Sequence, residues 1–333
     1  MSALDDFDAI DKARCDSMLR VLIAHGASDA LVTDLYDPIA LANSKTRGLI
    51  ASLIASSTPN RQMPPPIPAG YSEVYTDLFT TIDADRWMIY GATGVGNTTW
   101  GQGQGRTGFY SPDAVKATPG GLVFTTTPDP QGRLAQNGQR GWQTGFLASK
   151  VSFPLIARFE VRARFDVAAG FWPAPDWGTI ASVAGAPGGS SVAERDTVEY
   201  FPNDPGMARQ ATHLQANGST SPAYNVVQSI LKRSQRLPLT DPDGWHTYTS
   251  EVRRDGPHLR FTYWVDGVLN NDFSTRELAA RGVPHDAWIP NAIGWNERIC
   301  TQTGGAGGPW APSAGEGPFR MEVAWLRVLA PVA

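Results

Sequence analysis

Long apolar runs are missing from this chain. No stretch of eighteen apolar residues occurs in its 333, which excludes a membrane-spanning helix. Cysteine is nearly absent. The two present, Cys15 and Cys300, fall in segments of different character. Both read as unpaired, so neither a disulfide framework nor a metal-ligand spacing is present. Positive charge is not in excess, at 28 Lys and Arg against 32 Asp and Glu. Nothing in this balance points to nucleic acid or an anionic membrane as a partner. Lysine is scarcer still, five against 23 arginines, the balance expected of a GC-rich coding genome. The N-terminus "MSALDDFDAIDKARCDS" lacks the basic-then-apolar order of a secretion signal. Residues 1–57 contain no Glu and no Trp, which sets them apart from the rest.

What is abundant is Gly (34), Pro (26) and Trp (11), a loop-rich and aromatic-rich composition typical of all-β proteins. Tryptophan faces also stack on sugar rings, although most tryptophans serve as core. Within residues 1–57, Leu4, Phe7, Ile10, Met18, Val21 and Leu22 recur at helical spacing before Gly26, and Asp37-Pro38 opens a second helical pattern. Two short helices make a poor core by themselves. This piece is expected either to anchor or oligomerise the chain or to lie on its own main domain. Residues 58–70 form a Pro-rich linker, extended and semi-rigid.

From residue 71 the period changes to two. "GLVFTTTPD", "ARFEVRARFD", "WHTYTSEVRRDG", "LRFTYWVDG" and "FRMEVAWLRVLA" read as strands. In "ARFEVRARFD", Phe159, Val161, Ala163 and Phe165 share one face and Arg158, Glu160, Arg162 and Arg164 the other. "RRDGPHLRFTYWVDG" reads as two strands with a turn at Asp255-Gly256. The expectation for 71–333 is a β-sandwich or jelly roll.

"SSVAERDTVEYF" crowds Glu194, Asp196 and Glu199 into six residues of a strand. Glu194 and Asp196 share a face, whereas Glu199 falls on the opposite one. A β-bulge near Thr197-Val198 returns Glu199 to the first face. Paired carboxylates of this kind serve glycoside hydrolysis, one as nucleophile and one as acid, roughly 5–5.5 Å apart in retaining enzymes. The competing reading is a solvated charged strand.

The chain resembles glycoside hydrolase family 16, the laminarinase, lichenase and agarase group. "AERDTVEYF" fits that family's Glu-x-Asp-x-x-Glu strand. "ARFEVRARFDVAAGFWPAPDWG" resembles its strand and Gly-x-Trp-Pro-Ala segment, "DGWHTYTSEVRRDGPHLRFTYWVDG" its His-Thr-Tyr strand and hairpin, and "FRMEVAWLRVLAP" its last strand. The resemblance implies a concanavalin A-like jelly-roll sandwich behind the helical N-terminal extension. It implies a retaining endo-glycosidase acting on a β-linked polysaccharide of a cell envelope or matrix. Glu194 would be the nucleophile, Glu199 the general acid/base and Asp196 the supporting carboxylate. Trp172 and Trp177 would lie near the cleft. His213 falls where the family places a polar residue, or is a structural histidine. Trp295 is read as a stacking platform or as packing, and Trp142 and Trp100 are further substrate-binding candidates.

Three departures accompany the resemblance. Arg195 replaces an aliphatic residue, and pointed inward it needs a partner. Ala324 replaces an Asp that binds a structural calcium in the family, so no metal and no cofactor is expected. "PNAIGWNERICTQTGGAGGPW" follows the family loosely, so the substrate rim is remodelled. A non-catalytic, lectin-like carbohydrate-binding module is the alternative function. The expected partners are a polysaccharide and, through residues 1–57, tail proteins of a virion or another copy. The expected location is a phage tail or the extracellular space.

Overall fold

The computed structural model describes residues 63–91, 106–180, 193–200, 207–214, 237–239, 241–280, 294–304, 312–313 and 315–332. The two helices read in residues 1–57 and Trp100 lie outside them. The chain divides into two compact units, Met1–Met63 and Pro64–Ala333, and the second holds every element below.

That unit is a jelly-roll sandwich of two sheets, antiparallel but for one strand pair. The larger contains β1 (Tyr71–Asp77), β3 (Gly108–Tyr110), β4 (Val115–Thr118), β5 (Gly121–Pro128), β6 (Trp142–Thr144), β8 (Ala157–Phe165), β13 (His246–Asp255), β14 (His258–Val265), β15 (Val268–Ser274) and β17 (Phe319–Pro331). Its order is β15-β14-β13-β8-β17-β5-β6-β3, with β1 on β17 and β4 on β5. β3 and β6 run parallel. The smaller sheet contains β2 (Trp87–Ile89), β7 (Phe146–Ser149), β9 (Phe171–Ile180), β10 (Ala193–Glu199), β11 (Met207–Leu214), β12 (Leu237–Pro238) and β16 (Asn296–Thr303), in the order β12-β11-β10-β9-β16-β7-β2. Helix is confined, among the described residues, to Arg276–Ala279 and a 3-10 turn at Pro112–Ala114.

Alternation makes the core. Phe159, Val161, Ala163 and Phe165 of β8 are buried between the sheets. They meet Leu326 and Val328 of β17 and Phe261 of β14 in one cluster. The opposite face of β8 carries ion pairs. Glu160 is reached by Arg158 at 2.7 Å and by Arg327 Nε at 2.9 Å, and Arg164 meets Glu322 at 2.8 Å. The linker covers part of that face, because Arg327 also donates to the Pro65 carbonyl.

The β13–β14 turn lies one residue beyond the expected position. Asp255 pairs with His258, so Gly256 and Pro257 are the turn residues. Gly256 has φ +63°, and a two-residue hairpin with glycine first and positive φ is the type that matches strand twist. Proline's fixed φ suits the second place, and Asp255 stays in the ladder.

Candidate active site

The site grows from a local irregularity in β10. Against β11, Glu194 stands opposite His213 and Asp196 opposite Ala211, after which the register shifts and Glu199 pairs with Arg209. Against β9, Asp196 faces Trp177 and Val198 faces Asp176. The strand therefore has one residue more than its neighbours at Thr197-Val198. Both of these side chains are fully buried, and the bulge returns Glu199 to the face of Glu194.

β9 carries the complementary device. Against β16, Trp177 pairs with Arg298 and Ala174 with Cys300, so β9 holds an extra residue around Pro175-Asp176. Trp172 and Trp177 are five residues apart, as Glu194 and Glu199 are, and the two bulges bring all four side chains to one pocket. Its lining is Arg106, Trp172, Ala174, Trp177, Glu194, Glu199, Cys300 and Gln302. Asp196 is buried and is not part of that lining.

The pocket lining holds one cation, Arg106, beside its two acids. The Arg106 guanidinium lies 4.4 Å above the Trp172 ring and Arg298 lies 4.7 Å from the Trp177 ring. Burial pulls the Arg298 pKa down, while the charges of Tyr90 and Glu194 pull it back up. Burial pushes the Cys300 thiol up to about 12, so the pocket lining presents a neutral thiol. Gln302 donates to the Tyr110 hydroxyl, whose own pKa burial raises well above 10.

Of the tryptophans read as substrate contacts, two are placed elsewhere. Trp142 is fully buried, its ring 5.5 Å from Phe319. Trp295 is also fully buried, donates to the Leu155 carbonyl at 3.0 Å and meets Phe261 edge-on. Neither has a face to offer a sugar, and packing is the role the structure gives both. For His213 the structure describes the backbone opposite Glu194. Arg106, Cys300 and Gln302 were not read from the sequence as site residues. The alternation of "RICTQT" carries a signal for the last two, since residues 298, 300 and 302 share a face.

Arg195 points away from the pocket and is fully buried between the sheets. Its two terminal nitrogens have partners, while its Nε is buried without a hydrogen bond. Glu297 lies at 2.6 Å and Asp176 at 3.4 Å, and Nη1 donates to Thr197 and Ser250 hydroxyls. Among the described residues, no group of three His, Cys, Asp or Glu is arranged to hold a metal ion.

A jelly-roll sandwich with two glutamates and two tryptophans gathered in a pocket on its smaller sheet is the class of protein these features define. Solved structures of the same fold exist. SCLam, a non-specific endo-β-1,3(4)-glucanase from family GH16, is similar at 24% identity and TM-score 0.60, over 81% of this chain and 95% of its own. The laminarinase catalytic domain from Thermotoga maritima is similar at 19% identity and TM-score 0.59, over 79% and 99%. The endo-1,3-β-glucanase from Streptomyces sioyaensis is similar at 20% identity and TM-score 0.60, over 81% and 100%. No family model matches the sequence. No curated protein matches it either.

Proposed function

We propose that this protein is a retaining endo-glycosidase of a β-linked glucan. The observation that carries the reading is the convergence of Glu194 and Glu199 in one pocket through the bulge of β10. The fold's likeness to endo-β-1,3-glucanases supports the choice of polymer. A variant of SCLam, 25% identical to this chain, holds 1,3-β-D-cellobiosyl-glucose at its active site, which makes a mixed 1,3/1,4-glucan the first polymer to try.

In this mechanism the Glu194 carboxylate attacks the anomeric carbon while the Glu199 carboxyl protonates the departing glycosidic oxygen. The resulting glycosyl-enzyme is then hydrolysed by a water that Glu199, now a carboxylate, deprotonates. Asp196, between them in sequence and buried, acts as the supporting carboxylate. Trp172 and Trp177 wall the pocket. Arg106 lines the same pocket with its guanidinium on the Trp172 ring and takes part in shaping what enters. We place the action outside the cell, where such polymers lie. A virion role rests on the sequence architecture alone, and the structural neighbours lend it no support.

The test is release of new reducing ends from laminarin and mixed-linkage glucan by the full chain, beside Glu194→Gln. Cleavage by the native protein alone is the expected result. Binding without cleavage by both proteins would replace this reading with a lectin-like module.

A further inference from the structure

We propose that the buried cluster of Arg195, Asp176 and Glu297 is a positioning device for the acid pair, holding the β10 bulge in the one register that puts Glu199 beside Glu194. The inference rests on reading those two glutamates as the acid pair.

The cluster touches the bulge itself. Arg195 Nη1 donates to the hydroxyl of Thr197, one of the two residues that make the bulge. That hydroxyl also shares a 2.8 Å hydrogen bond with Ser250 on β13 of the other sheet. The Thr197 carbonyl accepts from Gln210 Nε2 at 2.6 Å, and Gln210 is itself held by Asn270 at 2.9 Å. A bulge residue lacks its regular ladder partner. Here buried side chains supply fixed, directional partners in its place.

The same guanidinium ties the strands that build the pocket. Asp176 belongs to β9 and pairs in register with Val198, the other bulge residue. Glu297 belongs to β16, the strand that carries Cys300 and Gln302. Phe159 packs 3.7 Å from the guanidinium carbon and closes the cluster from the opposite sheet. Room has been made for it at one backbone position. Gly178 stands opposite Arg195 on one side and Glu297 on the other. A methyl group there would lie 2.5 Å from Arg195 Nη2 and 2.9 Å from Glu297 Oε1.

Stability alone gives little reason for such a cluster. Burying an ion pair costs several kcal/mol of desolvation, and apolar residues of similar volume are often as stable or more so. An aliphatic side chain at 195 would fill the space but make no directional bond to Thr197. Two carboxyls also face one guanidinium, with the Tyr263 hydroxyl nearby. Burial raises the Glu297 pKa well above the ordinary range, against the lowering effect of Arg195.

The experiment replaces the cluster with apolar volume, as Arg195→Leu with Asp176→Asn and Glu297→Leu in the full chain. Stability, kcat, KM and a crystal structure are then measured. The expected result is a cooperatively folded protein whose kcat on the cleaved glucan falls tenfold or more while KM stays within threefold. Gly178→Ala, which keeps every charge but crowds the guanidinium, is expected to lower kcat in the native background and to have little effect in the apolar one. An apolar variant with kcat within twofold of native would overturn the proposal. Should the native protein cleave no glucan, the functional reading fails, and the crystal structure alone decides the positioning role. A lost bulge or a displaced Glu199 supports it, and an unchanged register at Thr197-Val198 sinks it.

Discussion

A tryptophan in this sequence has two destinies, and strand register with its bulges separates them. Trp172 and Trp177 face the pocket, whereas Trp142 and Trp295 are core. For Trp295 the parity was misleading in sequence, since it shares a face with the charged Glu297, which the structure buries together with Ile299. Trp295→Ala is accordingly expected to cost about 3–5 kcal/mol of stability, measured by denaturant unfolding. Unchanged stability with lost polysaccharide binding would restore it as a sugar platform. The grouping of Glu194 and Glu199 in one pocket was legible because their five-residue spacing asks for a bulge. Arg106 was not, because nothing local ties it to a pocket whose other walls come from β9, β10 and β16. His246 shows what residue chemistry adds. Its Nδ1 lies 2.6 Å from the Asp266 carboxylate and its Nε2 lies 2.6 Å from the Asp241 carbonyl. Both neighbours only accept, so the imidazolium is favoured, and the hydrogen bond to Asp266 raises its pKa. A raised pKa contributes stability that is complete below about pH 6.5 and is lost as pH rises through the folded value. The melting-temperature gap between native protein and His246→Gln should therefore shrink from pH 5 to pH 9. A gap independent of pH would contradict this.

At the level of elements, regular strands were readable and their irregularities were not fully so. Period-two alternation located β8, β13, β14 and β17, because burial on one face leaves that pattern. The β10 bulge was legible from the five-residue spacing of two glutamates. Its counterpart in β9 was not, although Trp172 and Trp177 have the same spacing and Pro175 suits a bulge. The Arg195 cluster was legible as a need for partners, but Asp176 and Glu297 come from strands 19 and 102 residues distant in sequence. The cluster also carries a pH signature. Burial raises the Glu297 pKa in the folded protein, whereas the unfolded chain releases this proton above about pH 4.3. Its contribution is complete below that pH and declines as pH rises through the raised folded value. Glu297→Gln should flatten this part of the stability-pH curve in urea titrations from pH 4 to pH 9. An unchanged slope would place the proton elsewhere.

For the whole molecule, the jelly roll persists at 19–25% identity to the glucanase structures. An alternating core asks for apolar residues at given positions, not for particular ones. The fold class was thus readable from pattern, while the chemistry was suggested by the paired carboxylates and the family motifs together. The linker joins the sandwich more closely than its composition indicates. Pro65 accepts from Arg327, and the Gly70 carbonyl accepts from Val332 at 2.9 Å. A chain beginning at residue 71 should melt about 2–6 °C below one beginning at residue 64, since a buried charged donor loses its acceptor at about 1–3 kcal/mol. Equal melting temperatures in calorimetry would show that these contacts contribute nothing.

The most direct test of the central claim is the anomeric configuration of the first product released from a mixed-linkage β-glucan, followed by proton NMR with native protein and with Glu194→Gln. The account predicts β-product first, mutarotating later, and none from the variant. An α-product, or equal release by both proteins, would contradict it.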